Sequence, residues 1–203
     1  MQDKVGRGRK QLVLLMLLFL APVIIAIIMY NNLSEHGPAK TKNNGDLVVP
    51  ARPLPDINLQ SVSGKGFKFS DMKGKWIMVY IGDAECDKSC SDVLFKMRQS
   101  RLYQQGEHRR IDRLYISVNG KPAASLSTVL KEHPGLEVVY GKVDAINSVL
   151  QKFELKNKAP AKSAQRLYIV DPLGNLMMSY DKGFDAVGLI KDMTLLLKVS
   201  HIG

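Results

Sequence analysis

The sequence predicts an α/β sandwich held to a membrane by one N-terminal helix. Three observations point there. Residues Leu12 to Tyr30 form a 19-residue stretch without a charge, long enough to cross a bilayer as a helix. Downstream, apolar runs of strand length alternate with segments of helical period, the pattern of βαβ units. Near the end, two strand-like runs flank Asp171-Pro172-Leu173-Gly174, the signature of an antiparallel hairpin.

Taken in order, the chain opens with Lys4, Arg7, Arg9 and Lys10, opposed only by Asp3. Positive charge before an apolar span keeps residues 1–10 in the cytoplasm and sends the remainder across the membrane. Pro22 is tolerable in a membrane helix. Segment 11–30 reads as an uncleaved anchor. It is longer than the apolar region of a signal peptide, and Met29-Tyr30-Asn31-Asn32-Leu33 lacks the small residues of a cleavage site. Residues 31–50, rich in Asn, Gly, Pro and Lys, read as a linker that gives reach above the membrane. Residues 51–203 are enough for one domain with its own core.

Within that domain, Ile57 and Leu59 alternate with polar residues, Ser63-Gly64-Lys65-Gly66 turns, and Phe67-Lys68-Phe69 alternates again, which predicts a short hairpin. A turn over residues 70–74 leads into a buried strand at 75–81. Val93, Leu94, Met97 and Leu102 follow helical spacing. Residues 109–118 predict a strand, residues 124–132 a helix stopped by His133-Pro134-Gly135, and Leu136–Tyr140 a short strand. Asp144 is the expected cap of a helix carrying Ile146, Val149, Leu150 and Phe153 on one face. A basic loop over 155–165 precedes the late hairpin, and Asp185 caps a last helix.

The chain carries a formal net charge of +10, and its first ten residues hold +3 of it, leaving +7 on the rest. The basic residues are scattered, with no stripe of interleaved aromatics, so nucleic acid is not an expected partner. A solvated surface near anionic headgroups accounts for the charge. A docking face for an acidic partner is the alternative. There is no zinc spacing, phosphate-binding Gly-rich loop or serine–histidine–acid arrangement.

The chemistry centres on the two cysteines of the sequence, Cys86 and Cys90, in Gly82-Asp83-Ala84-Glu85-Cys86-Asp87-Lys88-Ser89-Cys90. A strand that breaks at Gly82 and delivers a cysteine to a helix start is suited to thiol chemistry, because the helix N-terminus stabilises a thiolate. In an exported domain such a pair reads as a redox or metal pair. If both lay in a regular helix, their Cβ atoms would be about 5–6 Å apart. A disulfide needs about 3.5–4.5 Å, so the expected bridge distorts the first turn and is easily reduced. Reduced, two thiolates on one face could clasp Cu(I). Glu85 and Asp87 are expected to raise the Cys86 thiol pKa, and Lys88 to lower it. A purely structural pair is the remaining reading. None of His36, His108, His133 and His201 stands out as a further ligand, and Met97, Met177 and Met178 read as core filling.

The element order, with Cys86 and Cys90 at the end of the first central strand, resembles the thioredoxin fold, a three-layer sandwich here preceded by the N-terminal hairpin. It is most similar to the Sco/SenC branch. The resemblance rests on four features: the single anchor, the stretch Leu54-Pro55-Asp56-Ile57-Asn58-Leu59 to Phe69-Ser70-Asp71-Met72-Lys73-Gly74-Lys75, the Cys-x3-Cys spacing, and Leu167-Tyr168-Ile169-Val170-Asp171-Pro172-Leu173-Gly174-Asn175. It spans residues 50–198. It implies assistance in copper delivery to cytochrome c oxidase. Two departures matter. The family's third copper ligand is a histidine shortly before the late strand, and counting back from Asp171-Pro172 puts the matching position at about Ser163, within Ala161-Lys162-Ser163-Ala164-Gln165. The family's proline after the second cysteine is replaced by Ser91. A thioredoxin-type cis-proline is not evident either; Pro160 lies far from the strand.

The resemblance thus implies a membrane-anchored periplasmic assembly factor for cytochrome c oxidase, in the inner membrane with its N-terminus cytoplasmic. Cys86 and Cys90 would carry thiol redox of a copper site or handle Cu(I), with no third ligand identified and no cofactor required. A general thiol–disulfide oxidoreductase and a non-catalytic thioredoxin-like adaptor are the alternatives.

Overall fold

The computed structural model describes residues 2–36, 42–200 and 202. Two compact units emerge, Met1–Lys42 and Asn43–Gly203. The first holds helix α1, Gln2–His36, with Pro22 inside it. Within α1, Gln11–Met29 is long and apolar enough to cross a membrane by length and composition. The helix continues past Tyr30 into the segment expected to be linker, and His36 is its last residue. His201 lies outside the described residues.

The second unit is the three-layer sandwich. Its elements are β1 (Asp46–Pro53), β2 (Leu59–Ser61), β3 (Gly66–Phe67), β4 (Trp76–Gly82), α2 (Lys88–Tyr103), β5 (Ile111–Ser117), α3 (Ala124–Leu130), β6 (Leu136–Tyr140), α4 (Val143–Phe153), β7 (Leu167–Val170), β8 (Asn175–Tyr180) and α5 (Ala186–Val199). The sheet runs β1-β8-β7-β4-β5-β6-β2-β3. β4 pairs in parallel with β5 and antiparallel with β7, so it sits at the centre. All seven of its residues are buried, the continuous apolar run expected of a strand covered on both faces. One face packs on α4 through Ile146, Val149, Leu150 and Phe153. The other packs on α2, α3 and α5 through Val93, Leu94, Met97, Leu126, Leu189, Met193 and Leu197. Burying each of these side chains contributes about 1.5–3 kcal/mol.

Four details differ from the sequence reading. β1 begins at Asp46, inside the expected linker, and Val48 enters the core. Pro50 and Pro53 do not prevent it, because β1 is an edge strand with a register shift between Leu47 and Arg52, where a missing N–H costs little. The early hairpin is shorter than expected, and Phe69 belongs to a 3₁₀ turn, Phe69–Met72. Residues Gln105–Arg110 form another 3₁₀ turn, so β5 starts at Ile111. The N-cap of α4 is Lys142, with Asp144 inside the first turn, where a carboxylate still complements the helix dipole. The Asp185 cap of α5 is as expected, accepting from the Val187 and Gly188 amides.

The domain start is pinned by a buried carboxylate. Asp192 of α5 is 4 % exposed. It accepts from the Asn44 amide (2.8 Å), the Gly45 amide (2.9 Å), Asn44 Nδ2 (2.9 Å) and the Tyr180 hydroxyl (2.7 Å). A buried charge is tolerable when its lone pairs are filled in this way.

Candidate redox site at Cys86 and Cys90

Gly82, the last residue of β4, has no room for a side chain. A Cβ there would lie 2.5 Å from Tyr115 Oη and 2.9 Å from Tyr80 Cε1. The parallel register sets Tyr80 beside Tyr115, their ring centroids 5.5 Å apart. The Tyr115 hydroxyl donates to the Asp83 carbonyl at 2.6 Å, fixing the first residue after the strand. Burial, then the nearby carboxylates Asp87 and Asp83, pushes the Tyr80 hydroxyl well above the ordinary tyrosine range. Burial, then Tyr80, does the same at Tyr115. Both hydroxyls therefore stay protonated beside the cysteines. Asn119 Nδ2 donates to Asp83 Oδ1, and the Ala123 amide donates to the Ala84 carbonyl at 2.8 Å.

Cys86 and Cys90 are joined by a disulfide, with Cα atoms 5.3 Å apart. That separation is ordinary for a bridge. The expected distortion of α2 does not occur, because the two cysteines do not share a helix. Asp87 is the N-cap, its carboxylate accepting from the Cys90 amide at 2.7 Å. Cys86 thus precedes the helix and Cys90 closes its first turn. The sequence carried this signal, an aspartate three residues before Cys90 at a helix start. Cys86 is half-buried, its Sγ 3.8 Å from Ser91 Oγ. Cys90 is 3 % exposed, its Sγ 3.9 Å from Tyr115 Oη. The two cysteines are therefore unequally exposed: Cys86 is half-buried and Cys90 is buried.

A cleft of about 870 Å³ opens over the bridge. Gly82 to Asp87 and Cys90 form one wall, and Pro160, Lys162, Ser163 and Gln165 contribute to the other. The position read as that of the family's histidine is therefore beside the cysteines, and it holds a serine. Gln165 joins the walls, donating from Nε2 to Asp87 Oδ2 at 3.2 Å. The described residues include one cis peptide bond, Val49–Pro50, so Pro160 is not a cis-proline.

Among the described residues, no group of three or more His, Cys, Asp or Glu could hold a metal. The Ser163 hydroxyl is a hard, neutral donor and does not suit Cu(I). His108 is half-buried in the 105–110 turn, its Nδ1 bonded to the Gln105 carbonyl. His133 is buried, and burial with Arg113 and Arg98 nearby lowers its pKa. Its imidazole is thereby pushed toward the neutral form. Met97 and Met178 are core residues, 0 % and 2 % exposed. Asp83 and Glu85 are exposed loop charges.

Residues 76–200 match the family model described as transmembrane-like, thioredoxin-like, C-terminal domain. The chain belongs to this family and is Sco/SenC-like. It is 28% identical over 146 residues to Protein SCO2, mitochondrial, of Saccharomyces cerevisiae, covering 64% of this chain and 48% of that protein. The chain thus spans about half the length of that curated relative. The crystal structure of yeast Sco1 with copper bound aligns with a TM-score of 0.61 at 20% identity, over 73% of this chain and 94% of that one. BsSco, a Sco family cytochrome c oxidase assembly protein in which a disulfide switch was identified, aligns at 0.58 and 17% identity, over 76% and 99%. The structural likenesses show a shared fold. Cys86, Cys90 and Ser163 all lie in the part of the chain matched by the thioredoxin-like family model.

Proposed function

We propose that this chain is a membrane-anchored assembly factor for cytochrome c oxidase that acts through the Cys86/Cys90 dithiol–disulfide couple. The observation that carries the reading is the unequal exposure of the two cysteines at the floor of an open cleft. In the reduced protein, the more exposed Cys86 thiolate attacks one sulfur of a partner disulfide, such as that of an oxidised copper site. One partner sulfur leaves as a thiolate and a mixed disulfide forms. The Cys90 thiolate then attacks Cys86 Sγ, releasing the second partner thiol. The partner is reduced by two electrons, and the Cys86–Cys90 bridge holds the oxidised equivalent until an external thiol reductant reopens it.

The domain would face the periplasm, with residues 1–10 in the cytoplasm, a reading supported by the positive charge ahead of the apolar span Gln11–Met29. Copper enters as cargo. Two thiolates suit Cu(I), and a protein of this fold carries copper, so a two-thiolate clasp is the second reading. A general thiol–disulfide oxidoreductase or a non-catalytic adaptor would use the same fold.

The test uses the full-length chain in nanodiscs with a disulfide-bonded peptide of an oxidase copper loop. Cys90→Ser should trap a mixed disulfide through Cys86, and Cys86→Ser should form none. Copper per reduced chain, measured in parallel, addresses the second reading. Full oxidase assembly in cells carrying Cys86→Ser/Cys90→Ser would refute both readings and leave the adaptor.

A further inference from the structure

The charge around the bridge is opposite in sign to that of the chain. The chain carries a formal +10. Yet the charged side chains lining the cleft over Cys86 and Cys90 are Asp83, Glu85, Asp87 and Lys162, three carboxylates to one ammonium. All three carboxylates belong to exposed residues. Two are fixed by neutral donors: Asp83 by Asn119 Nδ2, and Asp87 by the Cys90 amide at 2.7 Å and Gln165 Nε2 at 3.2 Å. Glu85 directly precedes Cys86. Among the described residues, none of the three carboxylates has a cationic group within 4.0 Å. The negative charge beside the bridge is therefore held in place and left uncompensated.

The carboxylates do not converge on one point: among the described residues, no three such groups are placed to hold a metal ion. They make a spread negative field, which suits an organic cation better than a chelated one. At about 0.1 M salt, charges more than about 10 Å apart are largely screened. The carboxylates beside the bridge, and not the basic residues scattered over the domain, then set the field that a partner meets on contact. The cleft also offers a donor. Tyr80 lines it and is 1 % exposed, and its hydroxyl has no hydrogen-bond partner among the described residues. Buried polar groups are ordinarily hydrogen-bonded, so this donor is left for a group that enters the cleft.

We propose that the cleft selects cationic disulfide partners: the segment that Cys86 attacks carries lysine or arginine beside its disulfide, met by Glu85 and flanked by Asp83 and Asp87. The selection rests on the thiol-exchange reading and leaves its bonds unchanged. The Cys86 thiolate attacks, one partner sulfur leaves as a thiolate, and Cys90 displaces the second. The carboxylates form no bond to sulfur. They favour the encounter with a positive partner and oppose it with a negative one. Small anionic disulfides, such as that of glutathione, are poor substrates for the same reason.

The test uses the reduced full-length chain in phosphatidylcholine nanodiscs, at about 0.1 M sodium chloride. It measures the rate of exchange with cystamine, a dication, with neutral bis(2-hydroxyethyl) disulfide, and with 3,3′-dithiodipropionate, a dianion. Each rate is divided by that of free 2-mercaptoethanol on the same disulfide, which removes differences in leaving group. The expected order is dication, neutral, dianion, with about tenfold between the ends. Glu85→Gln, at an exposed position without an ion pair, should narrow that span about threefold, and Glu85→Lys should narrow it further. Lys73→Gln, at an exposed position outside the cleft lining, should leave the span as it is. Equal normalised rates for the three disulfides, the reverse order, or a span unchanged in Glu85→Lys overturns the selection and leaves thiol exchange standing. No reaction with any of the three overturns thiol exchange and the selection with it.

Discussion

One wall of the cysteine cleft is fixed almost atom by atom. Asp83 is held through its carbonyl by Tyr115 and through its carboxylate by Asn119, Ala84 by the Ala123 amide, and the helix start by Asp87 on the Cys90 amide. On the other wall, Pro160, Lys162 and Ser163 are exposed, and the Gln165–Asp87 bond ties it to the first. The disulfide wall is therefore rigidly presented, and the facing wall carries a hydroxyl at Ser163. The difference separates two chemistries that share one cleft. Thiol exchange needs only the rigid wall, whereas tight copper binding needs both.

That contrast can be broken most severely from the rigid side. Cys86→Ser/Cys90→Ser should abolish reduction of a disulfide peptide and Cu(I) retention by the reduced chain. Stoichiometric copper in that variant would place the metal elsewhere. On the open side, Ser163→His should raise Cu(I) affinity on the order of 100-fold, about 2.8 kcal/mol, in competition with a chromogenic chelator. An affinity unchanged by the histidine would mean that the two walls do not converge on one ion. Gly82→Ala drives a methyl into Tyr115 and Tyr80 and should cost roughly 1–3 kcal/mol, seen as a fall of several degrees in the unfolding temperature. Gln165→Ala removes the bond between the walls. It should cost about 0.5–1 kcal/mol and leave the mixed-disulfide reaction intact. A larger kinetic effect would show that the open wall takes part in thiol exchange.

The layers and the placement of the cysteines were legible because they rest on periodicity: a continuous apolar run for β4, and helical spacing in α2. Ser163, reached by counting back from Asp171-Pro172, lines the cysteine cleft. β1 was hidden by its prolines, which break a central strand but not an edge. The form of the disulfide was hidden because it depends on where α2 begins, and one capping residue, Asp87, decides that. The Tyr80–Tyr115 pair carries no linear signal. It exists only once β4 and β5 are set in parallel register. Arg113 was likewise concealed, a cation on a strand whose burial comes from elements distant in sequence.

The Asp192 clamp has a mechanical consequence. A domain tethered through its N-terminus feels any pull on the tether first at Asn44 and Gly45. The β1 ladder beyond them is an edge pairing that could be unzipped one hydrogen bond at a time. Asp192 grips both amides from α5 before the pull reaches that edge. Tension is diverted into a helix packed across the central sheet, which works as a strain relief does where a cable enters its housing.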